Sequence, residues 1–100
     1  MNEERLFMPI SSATVATGNG SRYLQQLCKH WSHRFEVDFD PQQGRIKFAE
    51  GEVIELTVQP DKLDIRIEAD DAARLPELNK VVEAHIARFA FRETLEFNWS

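Results

Sequence analysis

The chain has 100 residues, an apolar fraction of 42%, a formal charge of −5 and a pI near 5.1. That is one globular domain, long enough to bury a core without disulfides or metal and too apolar to stay disordered. The acidic balance and the scatter of lysines and arginines along the sequence argue against nucleic acid and anionic membranes as partners, since both are recognised through clustered positive charge. No run approaches a membrane span, the N-terminus lacks a signal-peptide pattern, and a single cysteine forms no internal disulfide. The expected location is therefore the cytoplasm.

Residues 1–12 read as a tail or an added strand, and the domain proper spans residues 13–100. Residues 12–17, small and β-branched, form a strand. Gly18-Asn19-Gly20-Ser21 is turn chemistry, with Thr17, Asn19 and Ser21 as candidate N-caps. Over residues 22–34, Leu24, Leu27, Cys28 and Trp31 recur at spacings of three and four, which predicts an amphipathic helix. Four alternating segments follow, carried by Phe35/Val37/Phe39, Ile46/Phe48, Ile54/Leu56/Val58 and Leu63/Ile65/Ile67. Each has one buried and one wet face, and the short turns between them predict an antiparallel meander. A second helix is expected over residues 72–91, with Leu75, Leu78, Val82, His85, Ile86 and Phe89 on one face. Asp70 and Asp71 precede it where caps belong, and Pro76 marks either its true start or a bend. A last strand covers residues 95–99. The order β-α-β-β-β-β-α-β predicts a two-layer α+β sandwich, a largely antiparallel sheet with two helices on one face. Trp31 and Phe89 are expected between helix and sheet.

The cysteine and all three histidines fall in two stretches. One is Tyr23-Leu24-x-x-Leu27-Cys28-x-His30-x-x-His33; the other is His85-x-x-Arg88-Phe89-Ala90-Phe91-Arg92-Glu93. In their order and spacing the chain resembles the bacterial domain-of-unknown-function family 2218, from about Thr14 to Trp99. The resemblance implies a small stand-alone bacterial protein and carries over no catalytic residue. Some relatives are fused to siderophore-interacting flavin reductases. The resemblance therefore also implies a binding or accessory role linked to iron or siderophore metabolism, with such a reductase as partner.

The residues themselves limit the chemistry. Around a helix Cys28 stands about 160° from His30 and about 140° from His33, so the three do not converge on one ion. Cys28 falls on the apolar stripe, where a thiol acts as a small hydrophobe. It also lacks the neighbouring base that a nucleophile requires. His30 and His33, about 60° apart on the polar side, are weak metal candidates or cap carbonyls at the helix end. His85 lies toward the edge of its apolar stripe. Arg88, Arg92 and Glu93 surround two phenylalanines at the exit of the second helix. Two helices side by side leave a groove, and Tyr23, His30, His85, Arg88 and Arg92 are the expected ligand-binding residues in it. A small anionic ligand fits them, and no cofactor is expected. The alternative is a metal- or haem-binding protein, or a minor enzyme, using His30, His33 and His85. A homodimer is a further expectation.

Overall fold

Alternation writes the sheet. Val15, Ile46, Ile54, Leu56, Leu63, Ile65 and Ile67 are all buried, while their sequence neighbours on the strands face outward. The structure, a computed structural model, describes residues 8–100; the rest of the expected tail lies outside the described residues. The elements are β1 (Ile10–Ala16), α1 (Gly20–Trp31), β2 (Glu36–Phe39), β3 (Gln43–Ala49), β4 (Glu52–Gln59) and β5 (Lys62–Ala69). A 3-10 turn (Ala72–Arg74), α2 (Leu75–Phe89) and β6 (Asn98–Trp99) complete the chain. One six-stranded sheet runs β2-β3-β4-β5-β1-β6, antiparallel at every step. The two helices cover one face of it, which is the predicted α+β sandwich.

The boundaries differ from expectation for physical reasons. β1 starts at Ile10, inside the expected tail, because its first residues pair with Glu68 and Ile67 of β5. α1 ends at Trp31, three residues early. There the Ser32 hydroxyl donates to the Lys29 carbonyl at 2.8 Å and the Ser32 N–H donates to the Cys28 carbonyl, so the last turn closes on itself. His33 therefore sits in a turn, off the helix. At the second helix the Asp71 carboxylate accepts from the Ala73 N–H at 3.0 Å and caps the 3-10 turn. Pro76 falls in the first turn of α2, where its missing N–H costs nothing. The last strand shrinks to two residues. After α2 the chain turns at Ala90 and Glu93 and pairs with β1 from Asn98 to Ser100, where Ser100 and Ser12 exchange backbone hydrogen bonds, while Leu95 and Phe97 pack on the flank of the core.

α1 lies on the sheet through Leu24, Leu27, Cys28 and Trp31, each buried. Trp31 meets Phe48 at 5.3 Å between ring centres, and Phe48 meets Phe35 at 4.5 Å. α2 buries Leu78, Val82 and Ile86. Phe89 packs against the core only half-buried, with its ring edge-on to His30 of the neighbouring helix at 6.3 Å.

Gly44 on β3 sets how closely α1 approaches. A Cβ there would lie 2.8 Å from the Cys28 sulfur and 3.4 Å from Leu24. Replacing Gly44 by Ala should destabilise the fold by about 1–3 kcal/mol through overpacking. In a Cys28→Ala background the same change should cost markedly less, since the sulfur it strikes is gone. Urea unfolding of the four proteins of this cycle checks the expectation; equal costs in both backgrounds would remove Cys28 as the obstacle.

Candidate functional site: the groove between the helices

α1 and α2 run in opposite directions, so the end of one meets the middle of the other. His30, in the last turn of α1, comes within 5.6 Å of His85 on α2, centre to centre. His85 also lies against the Trp31 indole at 4.9 Å. Four rings thus gather between the helices: His30 and Trp31 from one, His85 and Phe89 from the other. The His85 Nδ1 is 2.8 Å from the Val81 carbonyl one turn back. A carbonyl only accepts, so Nδ1 carries the hydrogen, and Nε2 is left with a lone pair in the neutral ring. His85 is half-buried and His30 exposed, so the pair is open to solvent.

At the other end of the groove stands Glu93. Its Oε2 accepts from the Thr17 hydroxyl at 2.9 Å, the Asn19 side-chain amide at 3.0 Å and the Tyr23 hydroxyl. This joins the exit of α2 to the turn between β1 and α1. Asn19, at the N-cap of α1, makes no side-chain cap; its Nδ2 donates to Glu93 and so orients the side chain toward the exit of α2. Tyr23 is buried, and burial together with the Glu93 carboxylate holds its phenol above the ordinary range. The three donors, Tyr23 foremost, hold Glu93 below the ordinary carboxylate range.

Of the expected site residues, His30 and His85 are brought together. Tyr23 lies on the same helix about two turns away, turned to Glu93 rather than to the imidazoles. Arg88 and Arg92 are exposed on α2 and its exit, and the Arg92 guanidinium lies over the Phe91 ring at 5.3 Å. Phe91 is 80% exposed, the barest large apolar side chain among the described residues. His33 stands in the turn, apart from this set. Glu93, Thr17 and Asn19 escaped the expected site because their partners lie more than seventy positions apart in the chain. Among the described residues no group of three or more His, Cys, Asp or Glu side chains is placed to hold a metal ion.

The charges are sorted between the two faces. On the open face of the sheet Arg45 and Arg66 reach Glu55, and Arg66 also reaches Glu68. On the helical side, residues 20–35 contain Arg22, Lys29 and Arg34 and no carboxylate. Among the described residues none of Arg22, Lys29, Arg34, Arg88 or Arg92 forms an ion pair. A cleft of about 530 Å³ lies elsewhere, around Asp38, Asp40, Arg45 and Glu55 at the β2–β4 end of the sheet. Three of its four charged groups have partners, with Arg45 on Glu55 and Asp40 accepting from the Gln42 and Gln43 amides.

Stability and labelling measurements check this geometry. Tyr23→Phe should cost about 1.5–3 kcal/mol, the net worth of a hydrogen bond to a carboxylate. Because Glu93 is held low when folded, its contribution is present above its ordinary value near 4.5 and is lost as pH falls through the lowered one. Glu93→Gln should therefore flatten part of the acid limb of the stability curve; an unchanged limb would deny the hub its role. Cys28 is fully buried and desolvation pushes its thiol up to about 11. It should label slowly in the native protein and quickly in urea. The unfolded thiol ionises first, near its ordinary value of 9, so stability should fall as pH rises from there toward about 11. Rapid native labelling would contradict the burial.

The fold recurs in a relative. The NMR structure of PA4090 from Pseudomonas aeruginosa superposes with a TM-score of 0.78 at 36% sequence identity, covering 93% of this chain and 96% of that one. No curated protein is recognisably similar. The model of a family described as an uncharacterized protein conserved in bacteria, DUF2218, matches residues 12–100, which takes in both histidine stretches, the Gly44 contact and the Glu93 hub. The chain belongs to that family.

Proposed function

We propose that this protein is a small binding or accessory domain, not an enzyme, and that it holds a small anionic ligand at the groove between α1 and α2. The observation that carries the reading is the pairing of His30 with His85 at 5.6 Å, open to solvent. It lies on a helical layer where Arg22, Lys29 and Arg88 form no ion pairs among the described residues. Lys29 adjoins His30, and Arg88 lies one turn beyond His85. Guanidinium and ammonium groups without partners, beside imidazoles and rings, suit a carboxylate or phosphate on a partly apolar body. The exposed Phe91 and the Arg92 beside it extend this surface at the mouth. No helix among the described residues is long and apolar enough to cross a membrane.

A link to iron or siderophore metabolism, with a siderophore-interacting flavin reductase as the partner served, rests on the family resemblance and not on the site. It is tested by adding the protein to such a reductase and following reduction of the ferric siderophore.

Titration with inorganic phosphate and with citrate, followed by amide NMR, tests the site. Saturable shifts confined to Tyr23, His30, His85, Phe89 and Arg88 are expected, with a Kd at about the millimolar level or tighter. Arg88→Gln should weaken binding while leaving the fold intact. Absence of any saturable shift in the groove, or shifts unaffected by Arg88→Gln and His85→Gln, would overturn the assignment.

A further inference from the structure

The imidazole pair has properties that anion capture does not require. The His85 Nδ1–H is held by the Val81 carbonyl at 2.8 Å, which fixes the ring and leaves Nε2 as a lone-pair donor. A backbone carbonyl on the far nitrogen is the common way a metal-ligating histidine is oriented and made more basic. The separation also fits. Two imidazoles bound to one ion through nitrogens at about 2.0–2.1 Å have ring centres roughly 4.5–6.5 Å apart; His30 and His85 are 5.6 Å apart and tilted by 43°. His30 is exposed, so its ring is free to turn a nitrogen toward the shared position. His85 is supported by Trp31 at 4.9 Å, which limits its motion.

We propose that His30 and His85 bind one transition-metal ion of the imidazole-preferring class (zinc, nickel or copper, divalent) through one nitrogen each. The protein supplies only two ligands, because no third His, Cys, Asp or Glu converges with them among the described residues. Water or an exogenous ligand fills the remaining positions. Cys28 takes no part, since it is buried beneath α1 with its sulfur against Gly44. His33 takes no part either, being in the turn beyond the helix. Hard cations such as magnesium and calcium are excluded by the nitrogen donors. Lys29 and Arg88 oppose a bare dication and favour an anion as its third ligand, so a metal and a small anion would occupy this groove together more readily than the metal alone. The proposal stands without the anion reading, because the imidazoles suffice to bind the ion.

The test uses the full chain without a histidine tag, in a buffer free of coordinating anions. Nickel(II) alone is titrated, followed by calorimetry and by paramagnetic broadening of NMR signals. One ion per chain is expected, with broadening centred on His30, Trp31, His85 and Phe89. His30→Gln and His85→Gln should each weaken binding by about tenfold or more, while His33→Gln leaves it unchanged. His30 is exposed, so the His30→Gln protein folds even if His85→Gln does not, and it decides alone in that case. No binding at tens of micromolar nickel overturns the site, and so does binding that survives both groove variants or is abolished by His33→Gln. The phosphate and citrate titration is independent of metal, so loss of one reading leaves the other standing or falling by itself.

Discussion

The approach of α1 to β3 at Gly44 governs the rest of the helical layer. A strand residue without a side chain lets the helix settle until the Cys28 sulfur occupies the space a Cβ would take. That depth buries Leu24, Leu27 and Trp31 together and brings the Trp31 ring onto Phe48. It also fixes the height of the opposite helical face, so that His30 emerges at the rim and not in the core. A helix held a few tenths of an ångström higher would loosen Trp31, which in turn supports His85.

α2 is fixed by polar contacts at both ends. At its start, the buried carboxylate of Glu52 on β4 accepts from Nε and Nη2 of Arg74 at 2.6 and 3.2 Å, and Arg74 also reaches Glu77 at 2.7 Å. The two-toothed contact raises the already high pKa of Arg74, chiefly through Glu52. Gly51, next to Glu52, makes the tight turn with φ of +77°, and Asp70 fills the space a Cβ would need there. At its far end Glu93 returns to Thr17, Asn19 and Tyr23. A buried or half-buried carboxylate without donors would be costly, so each contact constrains direction as well as distance. Between these two anchors α2 has one way to lie, and the place of His85 beside His30 follows from it.

The chain is acidic as a whole, yet its helical layer is not. The open face of the sheet neutralises its own arginines with cross-strand glutamates, an arrangement that period-two alternation makes easy. α1 carries Arg22 and Lys29 and no carboxylate, while α2 balances Lys80 and Arg88 with Glu77 and Glu83. Net charge therefore describes solubility here and says little about what the groove attracts.

The fold class was legible along the chain, because period-two alternation and helical spacing are local signals that survive without knowledge of neighbours. The sequence also showed that Cys28 points inward and that Cys28, His30 and His33 do not converge, since both follow from angles around one helix. It placed His30 and His85 in one groove but not at contact distance. The remaining features arise from contacts between distant segments. The Glu93 hub joins residues more than seventy positions apart, and nothing in their local spacing announces it. The Arg74–Glu52 contact is equally non-local. The grouping of unpaired cations was invisible as scatter along the chain and appeared once two helices shared a layer. The shortness of β6 and the turn of Phe89 toward His30 were decided where the chain leaves α2, by a carboxylate drawn to a distant turn. Local periodicity fixes which face of an element is buried; which elements meet, and at which residues, depends on contacts that only the folded chain makes.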